Sequence, residues 1–307
     1  MKIFLSKINE SWIVDRVRSD WYKHNLDIST EDIKSANIIW IISPWMWKKI
    51  PKRYLKKKNI VCSIYHIDFE NFDKKEKDDF YERDKYIDFY HVISLKTKQQ
   101  LEKLTNKKII SIPFWIDQNI WFPIENKQDL RSNFNFKKED YLVGSFQRDT
   151  EGNDMISPKL IKGPDIFLDI VEKMYDTNKN LKVILSGKRR NYLINNFQNK
   201  NIPYKYFEMV SLETLNKLYN ILDLYIVSSR IEGGPQAILE CSISKTPIVS
   251  TDVGVASEIL HPNSIFIPEN FSEASPNVDF AYKNSQKYKI PNGMVEFIRM
   301  FSDSYVN

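Results

Sequence analysis

Glu232 and Glu240 flank the run Gly233-Gly234-Pro235, one acid on the turn and one beyond it. A Gly-Gly turn that opens a helix leaves amide N–H groups unpaired, and glycine lets an anion come close to the backbone. The carboxylates can accept hydrogen bonds from ligand hydroxyls, or simply complement a helix dipole. Three cations stand at strand ends or helix starts in the same half: Arg148, Lys162 and Arg230. A guanidinium and an ammonium at such places suit a diphosphate, although each taken singly is an ordinary surface charge. In the other half His66 closes an apolar run. There it can hydrogen-bond a ligand or exchange a proton, or merely cap a loop. His91 falls inside the next strand pattern and reads as structural.

These residues need elements to hold them. Before the acidic turn runs 222–227, Leu-Asp-Leu-Tyr-Ile-Val, a buried strand pattern; after it Pro235 suits the first position of a helix. Arg148 follows a strand at 141–146. A polar loop from Gln147 to Gly163 then leads to Pro164 and a helix over 165–175, apolar at Ile166, Phe167, Ile170, Val171 and Met174. Further strands are expected at 181–186 and 204–207, a strand with a Gly turn over 246–254, and helices at 212–222 and 256–260. In the first half, runs at 2–5, 37–43, 59–65, 88–94 and 109–112 alternate with helical segments. Both halves therefore read as βα units around a parallel sheet, with ligands expected at the carboxyl ends of the strands.

All eight glycines lie in the second half, Gly144 to Gly293, and all seven tryptophans in the first, Trp12 to Trp121. Residues 1–128 hold 24 Lys/Arg against 18 Asp/Glu, while residues 129–307 hold 21 against 22. Prolines 113 and 123 and the polar stretch 125–132 form a linker, which divides the chain into 1–125 and 126–290. A helix near 290–305 is expected to return to the first domain. The positive excess sits in residues 45–58, where Trp45, Trp47 and seven Lys/Arg within 48–58 cluster. That mixture suits peripheral contact with anionic lipid headgroups, or is a solvated face with the tryptophans turned inward. No nucleic-acid-binding signature accompanies it. Cys62 and Cys241 sit in apolar segments, so neither a disulfide framework nor a metal centre is expected. The first residues resemble a strand more than a signal peptide, and no run is apolar enough to span a membrane, so a cytoplasmic location is expected.

Four segments, in order, carry a resemblance: Val143-Gly144 with Arg148, Lys162-Gly163-Pro164-Asp165, Glu232 with Glu240, and Pro247 to Gly254. Together they resemble the nucleotide-sugar domain of retaining glycosyltransferases with the GT-B fold, family 4 in particular. Pro113 to Asp117 is similar to a linker motif of that family, with Phe114-Trp115 replacing Asn-Gly. The sequence departs from the pattern in two further places. No glycine follows the first strand in Leu5-Ser6-Lys7-Ile8-Asn9, and residues 149–161 are inserted between Arg148 and Lys162.

The resemblance implies an α/β GT-B architecture, two Rossmann-like doubly wound domains facing a central cleft. It implies a hexosyltransferase that uses a nucleotide-diphosphate sugar, UDP- or GDP-linked, on a carbohydrate, glycolipid or protein acceptor. Arg148, Lys162 and the amides of Gly233 and Gly234 would hold the diphosphate, Glu232 the sugar, and Glu240 the ribose. His66 and Glu232 are the catalytic candidates. Cations and a helix N-terminus can stabilise a diphosphate leaving group, so no cofactor and no divalent metal are expected. Two alternatives stay open: a non-catalytic nucleotide-sugar-binding subunit, and another GT-B enzyme such as a sugar-nucleotide epimerase.

Overall fold

The computed structural model describes residues 1–7 and 13–306. Ile8 and Asn9 of the glycine-free stretch, and Trp12, lie outside the described residues. The chain divides into two compact units, Met1–Trp115 with Ile290–Asn307, and Ile116–Lys289. The break falls ahead of the linker read near 125, because residues after Trp115 pack with the second unit: Trp121 is buried edge-on against Tyr219.

The first unit is built on strands β1 (Ile3–Leu5), β2 (Ile38–Ile41), β3 (Asn59–Ile64), β4 (Phe89–Val92) and β5 (Lys108–Ser111). All pair in parallel, in the order β1-β2-β3-β4-β5. Every residue of β2 and β4 is buried, as befits inner parallel strands covered on both faces. Helices α1 (Ile13–His24), α2 (Lys52–Leu55), α3 (Lys74–Asp84) and α4 (Leu95–Leu101) connect them. Asp73 and Ser94 cap α3 and α4 by accepting from the third amide beyond.

The second unit starts with α5 (Lys127–Asn133) and continues with β6 (Tyr141–Ser145), α6 (Pro164–Thr177), β7 (Leu181–Ser186), α7 (Asn191–Asn199) and β8 (Tyr204–Phe207). Then follow α8 (Leu212–Ile221), β9 (Leu224–Val227), α9 (Gln236–Ile243), β10 (Ile248–Thr251), α10 (Ala256–Ile259), β11 (Ile265–Phe266) and α11 (Val278–Ser285). Its sheet order is β11-β10-β9-β6-β7-β8. From β6 the chain builds outward through β7 and β8, then crosses to β9 on the other side and builds through β10 and β11. That reversal leaves a crevice at the carboxyl ends of β6 and β9.

The last helix, α12 (Asn292–Val306), belongs to the first unit. Its Phe297 and Phe301 are fully buried among Trp21, Trp40, Trp115 and Phe114. Removing each from water contributes roughly 1.5–3 kcal/mol, so the C-terminal helix supplies part of this core. Among the described residues, no helix is long and apolar enough to cross a membrane.

Candidate active site

The crevice between β6 and β9 is where sequence-distant residues meet. The two strands pair at Gly144 and Tyr225, so Gln147 and Arg148 leave one strand end while Ser228 to Gly234 leave the other. The loop after β6 returns through Ile161, Lys162 and Gly163 before entering α6. Gly163 has φ +60°, and a Cβ there would lie 1.8 Å from the Ser228 carbonyl oxygen, so only glycine permits this approach. The Ile161 carbonyl accepts from the amides of Arg230 and Ile231 at 2.9 and 3.1 Å. Gln147 Nε2 donates to the Lys162 carbonyl at 2.8 Å, while its Oε1 accepts from Ser229 Oγ at 3.1 Å.

The acidic turn is held from its other side as well. A Cβ on Gly254, φ +50°, would lie 2.1 Å from the Gly233 carbonyl oxygen. Thr251 Oγ1 donates to the Ser229 carbonyl at 2.6 Å. Between these two braces Lys162 Nζ hydrogen-bonds Glu232 Oε1, and Ser229 Oγ donates to the same oxygen at 3.4 Å. Both charged groups stay within reach of solvent, at 21% and 14% side-chain exposure. Among the described residues, the amides of Gly233 and Gly234 donate to no protein acceptor, and α9 begins without a side-chain cap. Unpaired N–H groups at a helix start are chemically suited to an anion.

Arg148 is anchored by Nε donation to the Thr150 carbonyl at 2.7 Å. Burial lowers its proton affinity, repulsion from Arg189 lowers it further, and Glu151 opposes both. A fourth residue joins this group that the sequence did not single out. Lys159 is half-buried, 3.8 Å from Glu151, and stands in the fields of Arg148, Lys162 and Glu232. Burial lowers its pKa most, then Arg148, with Lys162 acting in the same direction. Cations that depress one another's proton affinity mark a place where an anion is welcome.

Lys159 reaches this position because the inserted residues form a hairpin. Thr150 bridges Pro158 in antiparallel fashion, Glu151 N donates to Ser157 O at 2.9 Å, and Lys159 N donates to Asp149 O at 2.8 Å. At the tip Asp154 accepts from the amides of Ile156 and Ser157. At the base Asp149 pairs with Arg190 at 2.7 Å, both essentially sealed from water. Arg190 also donates to the carbonyls of Ser145 and Ser186 at 2.6 and 2.8 Å. A segment polar enough to be read as a loose loop is thus tied to the sheet through a buried ion pair.

The remaining sequence candidates fall elsewhere. Arg230 is engaged by Asp165 at 2.8 and 2.6 Å and by the Leu160 carbonyl, so it clamps the start of α6 to the turn after β9. Glu240 is 5% exposed on the inner face of α9, where the Tyr219 hydroxyl donates to its Oε2 at 2.8 Å. Burial, and then that carboxylate, push the Tyr219 phenol well above its usual pKa. His66 follows β3 in the first unit and lines a cavity of about 900 Å³ there. His91 is fully buried, between Ser63 and the Ile112 carbonyl. Trp47 is buried and Trp45 is 51% exposed, so the two tryptophans of the basic stretch part ways.

Comparison with known proteins bears on the fold and on the second unit. Residues 156–292 match the family model described as glycosyl transferases group 1. No curated protein sequence matches the chain. Among solved structures, the chain is similar to HepE of Anabaena in complex with UDP and glucose, with a TM-score of 0.78 at 13% identity over 99% of this chain and 100% of that one. HepE in complex with UDP-glucose gives 0.78 at 12% identity over 98% and 99%. Sucrose-phosphate synthase of Thermosynechococcus elongatus gives 0.73 at 12% over 98% of this chain and 81% of that one. Residues 156–292 are thus similar to group 1 glycosyl transferases, and the two parallel-sheet, Rossmann-like units with these structural matches give the chain the GT-B fold.

Proposed function

We propose that the chain transfers a hexosyl group from a nucleoside diphosphate sugar to an acceptor hydroxyl, with retention and without a divalent metal. The observation that carries this reading is the meeting of Lys162, Glu232, Arg148 and Lys159 at the reversal between β6 and β9, beside the Gly233 and Gly234 amides. HepE, captured with UDP and with UDP-glucose, makes a UDP-sugar the first donor to try.

In this reading the bond between the anomeric carbon and the diphosphate oxygen breaks with its electron pair left on the phosphate. Arg148, Lys159, Lys162 and the glycine amides meet the charge that develops there. Glu232 accepts hydrogen bonds from the sugar's hydroxyls and holds the ring while the anomeric centre turns electron-poor. The acceptor oxygen attacks from the face the phosphate leaves, and its proton passes to the departing phosphate oxygen. Glu240, oriented by Tyr219, is the ribose ligand of the scheme, and His66 is the catalytic candidate of the first unit.

The test is release of nucleoside diphosphate from a panel of nucleotide sugars. Glu232→Gln and Lys162→Ala should each lower turnover by about 10² or more while the protein stays folded. Unchanged turnover in both variants would remove the site assignment. Tight donor binding with no release under any acceptor would favour the non-catalytic binding subunit. Added chelator should leave turnover unchanged; its loss on chelation would end the metal-free scheme.

We also propose peripheral contact with anionic membranes through residues 45–58, on the exposed Trp45 beside the exposed Lys48, Lys49, Lys52, Lys56 and Lys57. Equal pelleting with anionic and neutral vesicles would refute it.

A further inference from the structure

The cavity of the first unit is lined by the turn 44–49, by α2, by the residues after β3 and by the inner face of α3. At its wall Asp79 is shared among several donors. Trp47 Nε1 donates to its two oxygens at 3.3 and 3.2 Å, Lys48 pairs with it, and Arg83 Nη1 reaches it at 3.5 Å. Two cations thus divide one carboxylate at this wall, while Lys52 and Lys75 stand with Asp68, Glu76, Asp78 and Glu82 around the rest of the lining.

Arg83 is the unusual member. Its side chain is 7% exposed, it lies over the Phe80 ring at 5.1 Å, and its Nε is sealed without a partner. A guanidinium carries five N–H donors, yet among the described residues that of Arg83 makes one hydrogen bond, the long one to Asp79. A buried charge so thinly satisfied is costly unless an acceptor comes from outside the protein. Its planar fork matches a carboxylate or a phosphate. At the cavity's edge the half-exposed Trp45 ring offers a flat apolar face to a pyranose. Asp68, Glu76, Asp78 and Glu82 also line the cavity and would accept from sugar hydroxyls, whereas they would repel a bare anion, so the sugar ring has to carry the acid group in.

We propose that this cavity takes the acceptor, and that the acceptor is an acidic saccharide, with its carboxylate or phosphate on Arg83 and its ring over Trp45. The assignment of this ligand as the acceptor rests on the transferase reading above; its binding does not.

The experiment is ligand-observed NMR on the full chain with methyl glucuronide, glucose 6-phosphate, methyl glucoside and inorganic phosphate. One of the two acidic sugars should bind about tenfold more tightly than methyl glucoside. Which of them does so identifies the anion. Arg83→Met should abolish that preference, and Trp45→Ala should weaken every sugar. If Arg83→Met does not fold, the wild-type comparison and Trp45→Ala decide.

Equal affinity for acidic and neutral sugars overturns the proposal, as does binding of inorganic phosphate as tight as that of either acidic sugar. No sugar binding, with Trp45→Ala lowering only adsorption to anionic vesicles, overturns it in favour of a lipid surface. Acidic-sugar binding without any donor turnover keeps the site and removes the transferase reading. Turnover confined to neutral acceptors does the reverse.

Discussion

Gly163 approaches Ser228 so closely that a Cβ on it would lie 1.8 Å from the Ser228 carbonyl oxygen. This contact sets Lys162 opposite Glu232, because the backbone on either side of it is what joins the two loops. Gly163→Ala meets both an unfavourable φ and an immovable backbone atom. The expected loss of stability is about 2–4 kcal/mol. The turnover loss should reach about 10²-fold, since a misplacement near 1 Å suffices for that. Gly187→Ala is the control. Its φ of +90° is also strained, but its Cβ would meet the Phe146 carbonyl at a tolerable 3.4 Å. Denaturant unfolding and donor turnover, measured on both variants, check the prediction; equal effects would show that strain alone matters.

Lys159 should act on the donor rather than on the fold. Lys159→Met keeps the apolar stem and removes a charge that Arg148 and Lys162 already repel. Stability should stay within about 0.5 kcal/mol of the parent. Removing one charge-assisted contact to the diphosphate should lower kcat/KM for the donor about tenfold or more. The donor's KM should also become less sensitive to salt. Arg230→Gln should behave oppositely, loosening the start of α6 where Arg230 holds Asp165, with a smaller effect on the donor's KM.

The hairpin that carries Lys159 depends on the Asp149–Arg190 pair. Asp149→Ala leaves a guanidinium buried without its counter-charge, an expected loss of about 3–5 kcal/mol. Proteolysis within 152–157 should then speed up, because the hairpin's base has lost its anchor. Replacing both partners, Asp149→Leu with Arg190→Met, should be milder than Asp149→Ala alone. A double variant as unstable as the two single losses added together would show that the pair is not coupled.

Much of this arrangement could be read before any coordinates, and the exceptions share a cause. The strand runs at 37–43 and 59–65 announced themselves because inner parallel strands are continuously apolar. Lys162, Gly163 and Glu232 were visible because a glycine turn beside a charge is a local pattern. Lys159 was not, since its place depends on Arg190 folding back beneath residue 149. A charged residue in the interior runs against every local signal. Arg230 looked as suitable for a phosphate as Arg148 did; only the tertiary contact with Asp165 separates them. Helix α7, rich in Asn, carries weak propensity and is held by Leu193 and Phe197 in the core. Trp45 and Trp47 are chemically identical neighbours, and which one turns inward is settled by Asp79 on α3.

His91 gives the first unit a pH dependence whose sign follows from its partners. The Ile112 carbonyl can only accept, so Nε2 carries the proton, and Nδ1 accepts from the Ser63 hydroxyl. Ser63 Oγ in turn accepts from Trp40 Nε1 at 2.8 Å. A second proton on Nδ1 would have to displace the Ser63 hydrogen and place a charge in a sealed aromatic cluster. Burial accordingly pushes the His91 pKa down to about 4, with the Ile112 hydrogen bond opposing it. The unfolded chain titrates near the ordinary value of about 6.5, so it binds the extra proton first as the pH falls. His91's contribution is therefore complete above about pH 6.5 and declines as the pH drops toward 4, by about 3 kcal/mol in all. Urea unfolding followed by tryptophan fluorescence between pH 7.5 and 4 should show this slope, and His91→Gln should flatten it despite lower stability at neutral pH. An unchanged slope in His91→Gln would assign the acid sensitivity to carboxylates instead.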